Sequence, residues 1–195
     1  APYHFWIGDV YQGAPLIVTA FFSTIVRISF FAIFFRLVMH VFYFMNASSW
    51  FVSLLFFAGC SSIVFGSVLA LNQFEVKRFL ANSSIVHTGF ILISLSTMTM
   101  DGFKCAFLYT VVYIFTLLCF FLLIYIYPVQ TVQNQKGALI HNEYKIKYFS
   151  DLQNLSMPVQ LMFIFFLFSM AGLPPFPGFI IKLYVFKVYL GDFIM

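Results

Sequence analysis

The sequence predicts an all-α integral membrane protein, a bundle of about five transmembrane spans with the last one discontinuous. Three observations carry that expectation. Of the 195 residues, 63% are hydrophobic and only 8% charged, whereas a soluble domain carries about 25% charged residues. The apolar residues fall into separate stretches, each long enough to cross hydrocarbon, which takes roughly 20 residues as a helix. The final stretch is interrupted by Pro174, Pro175 and Pro177 and carries Lys182 just beyond the interruption.

Residues 1–14, APYHFWIGDVYQGA, mix aromatic, polar, Gly and Pro residues. They read as an interfacial loop or re-entrant turn, with His4 and Asp9 engaged in loop hydrogen bonding and capping. Span A, 15–43, is rich in Phe and interrupted by Arg27 and Arg36. Span B covers 50–73, span C 79–98 and span D 103–127. Residues 128–156 form a polar connector holding Lys136, Glu143, Lys145, Lys147 and Asp151. Broken span E occupies 157–190, and the whole of 1–195 reads as one membrane domain. In span B, Ala58, Ser62, Gly66 and Ala70 recur every four residues, a small-residue face that lets another helix come close.

The break in span E has a chemical cause. Each proline lacks an N–H and clashes with the preceding turn, so Gly172, Pro174, Pro175, Pro177 and Gly178 mark a joint between two half-helices. Irregular backbone at membrane depth survives only where protein buries it or a wet cavity borders it. An ionisable group beside such a joint reads as functional, because it is costly in lipid.

Lys and Arg counts set the orientation. The connectors B–C and D–E hold Lys77, Arg78, Lys136, Lys145 and Lys147, against Lys104 alone on the opposite side. The positive-inside rule puts the five on the matrix or cytoplasmic side, and the pair Lys77-Arg78 is mainly that signal.

The remaining ionisable residues divide by depth. Arg27 lies 12 residues past Pro15, about 18 Å along a helix and near mid-membrane. It must face protein or water there, either tuning neighbours and organising water or paired with a buried carboxylate. An arginine essentially never gives up its proton, so it makes a poor relay. Arg36 and His40 lie near the end of span A and can snorkel to the interface. His87, in SSIVHTGF, is either a titrating histidine with Ser83, Ser84 and Thr88 holding water, or a satisfied core residue. Lys182 can cycle between charged and neutral forms as a relay requires. Lys187 reads first as a residue that snorkels outward, with exit residue as the functional alternative.

Other chemistries find no support. The formal charge is +4 with no basic cluster, so nucleic acid is not an expected partner. Cys60, Cys105 and Cys119 match no metal spacing and read as small core residues. No hydrolytic triad, phosphate loop, Cys-x-x-Cys pair or carboxylate pair within a span is present.

Three stretches together resemble one family. PYHFWIGDVYQGAP at 2–15 resembles the loop after the first broken helix of antiporter-like subunits. FGSVLALNQFEVKRFLANSSIVHTGF at 65–90 resembles the long signature G-x-x-x-A-x-x-Q-x-x-x-K-R-x-x-x-x-S-S-I-x-H-x-G. SMAGLPPFPGFIIKLY at 169–184 resembles the second broken helix with its lysine. The blocks occur in family order over nearly the whole chain. The family is that of antiporter-like, proton-translocating subunits of respiratory NADH:ubiquinone oxidoreductase (complex I), and DVYQGAP is closer in form to subunit 2 than to subunits 4 or 5.

The resemblance implies an antiporter-like helix bundle, in which inverted five-helix repeats each carry one broken helix and a midplane site. Lys182 falls on the family's lysine of the second broken helix, His87 on its histidine, and Arg27 where the family usually has a lysine. It further implies a proton pathway through Lys182, His87 and Arg27, to which position alone adds Lys187, with no catalytic, cofactor or metal residue in this chain. Flavin and iron–sulfur clusters belong to partner subunits. The expected partners are other complex I membrane subunits and membrane lipids, and the expected location is the mitochondrial inner membrane, for which the 30 Phe are typical of an AT-rich genome. The family's first half would lie upstream of Ala1, so a fragment or split subunit completed by another chain is expected. Two rivals remain open: a subunit of a multisubunit Na⁺/H⁺ antiporter, and a structural scaffold without its own proton path.

Overall fold

The computed structural model describes residues 4–44, 49–127 and 148–194. The fold is all-helical. Helix α1 is Phe5–Gly13, and α2, Leu16–Phe21, continues through a π-helical stretch, Phe22–Val26, into α3, Arg27–Phe44. Then follow α4 (Ser49–Leu71), α5 (Val76–Ser96) and α6 (Met100–Ile126). A 3₁₀ turn, Phe149–Asn154, leads into α7 (Met157–Ala171) and α8 (Pro177–Ile194). Lys136, Glu143, Lys145 and Lys147 lie outside the described residues. Among the described residues, Leu16–His40, Trp50–Leu71, Val76–Ser96 and Met100–Ile126 are long and apolar enough to cross a membrane. Helix α7, at 15 residues, spans only about 22 Å on its own.

The first segment departs from expectation. Phe5–Gly13 forms a helix, not a loop. It stops because Pro15 disfavours helical geometry at the residue before it, and Ala14 is extended, with φ −79° and ψ 148°. Helix α1 is pinned to the start of α5 by polar contacts. Arg78 donates to Asp9 Oδ1 at 2.8 Å and Gln12 Nε2 donates to Glu75 Oε1 at 3.0 Å. Lys77 Nζ donates to the Ala14 carbonyl at 2.6 Å. Asp9 is therefore an ion-pair partner within a helix, and Lys77 and Arg78 hold α1 in place.

The first span is not a uniform α-helix. Ser23 Oγ and Thr24 Oγ1 both donate to the Ala20 carbonyl, at 3.0 and 2.6 Å. Hydroxyls that return to the preceding turn compete with the backbone ladder and distort helices. The widened π turn ends directly at Arg27.

Helices α4 and α5 pack through small residues. A Cβ added to Gly66 would lie 2.9 Å from Val86 Cγ2, and one on Gly89 would lie 2.7 Å from the Gly59 carbonyl oxygen. Gly59, Ser62 and Gly66 are the buried members of this face, while Ala58 and Ala70 are only partly buried. The contact row follows the i, i+3, i+7 geometry of a helix stripe. Gly89→Val is expected to cost about 1–3 kcal/mol by overpacking, read as a lower thermal midpoint of the detergent-solubilised protein. An unchanged midpoint would show that the helices do not meet this closely.

Helix α5 is the most buried span and lies at the centre of the bundle. Helix α6 joins it on one side and packs on α7 through an edge-to-face pair, Phe120 with Phe163, at 5.4 Å. An antiparallel bridge between Glu75 and Tyr148, with Phe149 N donating to the Phe74 carbonyl at 3.3 Å, brings the described ends of connectors B–C and D–E together. They lie on one side of the bundle, where α1 also sits.

Candidate functional site at the broken helix

The joint between α7 and α8 is built from its glycines. Gly172 takes the left-handed conformation, with φ +81°, which glycine adopts at no steric cost. Its N–H donates to the Phe168 carbonyl at 2.9 Å and that of Leu173 donates to the same oxygen at 3.2 Å, closing the last turn of α7. Pro174–Pro175 is a cis bond. Helix α8 starts with Pro at its first position, where a missing N–H costs nothing. Gly178 crosses α7 so closely that a Cβ there would overlap the Ser169 carbonyl oxygen.

This crossing places Lys182 against the end of α7. Its Nζ donates to the carbonyls of Met170, at 3.0 Å, and Ala171, at 2.9 Å. Those carbonyls belong to the last turn of a helix, which lacks internal donors and carries the negative end of the macrodipole. The ammonium also lies 5.4 Å from the centre of the Phe90 ring on α5, a cation–π distance.

His87, on α5, is buried. Its Nδ1 is 2.7 Å from the Tyr109 hydroxyl, and its ring stacks on Tyr113 with centroids 4.2 Å apart. Tyr113 in turn meets Arg27. Arg27 Nη1 donates to the Tyr113 hydroxyl at 3.1 Å, Nη2 donates to the Ser84 carbonyl at 2.9 Å, and the guanidinium lies 4.9 Å from the Tyr113 ring centre. These partners are a phenol, a carbonyl and a ring face, not a carboxylate. The phenol of Tyr113 thus joins the arginine to the histidine.

Lys182 and His87 border one small cavity, together with Tyr109, Tyr113, Thr116 and Ser169. The space open to water-sized centres is about 20 Å³, and one water requires roughly 10–15 Å³. The cavity has room for one or two waters between the lysine and the histidine.

The sequence candidates are distributed unevenly. Lys182 and His87 share the cavity, Arg27 adjoins it through Tyr113, and Lys187 is exposed on α8 outside it. Ser83, Ser84 and Thr88 turn their hydroxyls to the carbonyls of Leu80, Ala81 and Ile85. Tyr109, Tyr113 and Ser169 carry polar atoms of the site that sequence reasoning missed. The tyrosines lie four apart on α6, one helical turn, but that spacing also describes ordinary core aromatics. Among the described residues no group of His, Cys, Asp or Glu converges to hold a metal, and Cys60, Cys105 and Cys119 are free thiols.

The transmembrane family described as NADH:quinone oxidoreductase/Mrp antiporter matches residues 1–192. The chain belongs to this family. Its similarity to individual members runs along the same length. NADH-ubiquinone oxidoreductase chain 2 of Marchantia polymorpha is 36% identical over 193 residues, covering 97% of this chain and 36% of the relative. The protein of the same name from Arabidopsis thaliana is 34% identical, with 97% and 35% covered. NADH-quinone oxidoreductase subunit N of Pelagibacter ubique is 32% identical, with 97% and 38% covered. The chain therefore spans little more than a third of the length of these curated relatives. Membership in the oxidoreductase/antiporter family agrees with the all-helical membrane fold and with the antiporter-like resemblance of the three sequence blocks. The break itself, from Gly172 to Gly178, lies wholly within the matched region.

Proposed function

We propose that this chain is a proton-translocating membrane subunit of respiratory complex I, carried in the mitochondrial inner membrane. One observation carries the reading: Lys182, held on the open carbonyls of a half-helix, borders the same small cavity as the buried His87. In this account electron transfer from NADH to ubiquinone takes place on flavin and iron–sulfur clusters in partner subunits. The resulting change in charge near this chain drives proton exchange at Lys182. The carbonyls of Met170 and Ala171 favour the charged ammonium. Two positive charges in so small a space repel, so loading one side of the cavity drives a proton from the other. Arg27 keeps its charge throughout. Its contribution is a fixed field beside Tyr113 and His87, in place of a second relay. Lys187, exposed on α8, serves as the exit toward the outer face.

The relatives' names support the oxidoreductase over the antiporter, since the three above are NADH-quinone or NADH-ubiquinone oxidoreductase components. The family description also names an antiporter, so Na⁺/H⁺ exchange is the second reading. A native gel of gently solubilised membranes, stained for NADH oxidation and analysed by mass spectrometry, separates the two. The chain is expected in the NADH-oxidising band. Recovery in a separate assembly that exchanges cations without NADH would favour the antiporter.

A further inference from the structure

The hydroxyls of this bundle mostly satisfy themselves. Ser83, Ser84, Ser94, Thr110 and Thr116 each donate to a carbonyl one turn back, the usual solution for a hydroxyl buried in a helix. Ser169 differs. It is 2% exposed, and its Oγ has no hydrogen-bond partner among the described residues. Buried polar atoms are rarely left so. Ser169 also borders the cavity of Lys182 and His87, and its backbone is set by the Gly178 crossing.

We propose that Ser169 holds a water molecule between Lys182 and His87, and so positions the proton step without itself changing charge. The proposal rests on the proton-translocating reading above. The cavity has the volume for a water, and Ser169, Lys182, His87 and Tyr109 all border it, the kinds of side chain that supply the two to four partners a buried water requires. A bridging water is nearly as good as a direct hydrogen bond, and in this proposal it joins an amine on α8 to an imidazole on α5. No covalent bond changes; a proton passes from one nitrogen to the water as the water gives one up on its other side.

The test uses the assembled enzyme in sealed vesicles, with Ser169→Ala, Ser169→Thr and Lys182→Met compared. Ser169→Ala should slow proton transport roughly tenfold, the scale of about one lost hydrogen bond in the rate-setting step, and should change its solvent isotope effect. Ser169→Thr keeps the hydroxyl and should restore most of the rate. If Lys182→Met lowers transport while Ser169→Ala transports as wild type, the bridging water is wrong and the relay stands. Equal impairment in Ser169→Ala and Ser169→Thr would also overturn it, by showing that packing and not the hydroxyl matters. If Lys182→Met and Ser169→Ala both transport normally, the proton-path reading fails with it.

Discussion

Lys182→Met is expected to slow proton transport through this chain by roughly a hundredfold or more, the scale of a lost acid–base group, while leaving the chain assembled. The expectation of assembly is energetic. Lys182 gives α7 two hydrogen bonds at its C-terminal carbonyls, and a cation at a helix C-terminus contributes about 0.3–1 kcal/mol, rising to about 2 when partly buried. Methionine keeps the length of the side chain and its packing against Phe90 and Gly172. Lys182→Arg separates charge from proton exchange. It keeps the cation over the carbonyls but holds its proton permanently, so it should assemble fully and still transport poorly. Acidification of sealed vesicles, read beside the intensity of the assembled band, checks both variants.

Gly178→Val should have the largest effect on structure. A Cβ at this position overlaps the Ser169 carbonyl oxygen, and backbone cannot give way as a flexible side chain can. Ordinary overpacking costs about 1–3 kcal/mol, and here α7 and α8 must separate altogether. Separation removes Lys182 from Met170 and Ala171 and opens the cavity. The expected result is loss of the chain from the assembled band, with Gly178→Ala also impaired because the clash begins at Cβ. Normal assembly of Gly178→Val would mean that the half-helices do not cross at this residue.

The broken helix was legible because prolines and glycines act locally. Pro174, Pro175 and Pro177 forbid a continuous helix wherever the surrounding chain goes, and Lys182 stands out against an apolar background. The spans were legible for a similar reason, since length and hydropathy need no tertiary information. Partners across the bundle were not. Nothing in the local sequence says that the carbonyl of Ser84 and the hydroxyl of Tyr113 meet Arg27, because residues 57 and 86 positions away meet only in the fold. Gly59 escaped the small-residue stripe for a geometric reason. A strict four-residue spacing drifts around a helix of 3.6 residues per turn, and the buried face runs through Gly59, Ser62 and Gly66. Helix α1 was obscured by its composition, for Gly8 and Gly13 suggested a loop, yet tertiary contacts with Arg78, Glu75 and Lys77 outweigh weak local propensity. The π turn before Arg27 has no sequence signal beyond neighbouring Ser and Thr.

The most direct measurement is the number of protons moved per NADH oxidised, for wild type and Lys182→Met, in sealed proteoliposomes of the purified assembly. A lower ratio is expected in Lys182→Met, with the chain still present in the assembly. An unchanged ratio, with Lys182→Met fully incorporated, would contradict it and leave the chain as a scaffold around a broken helix.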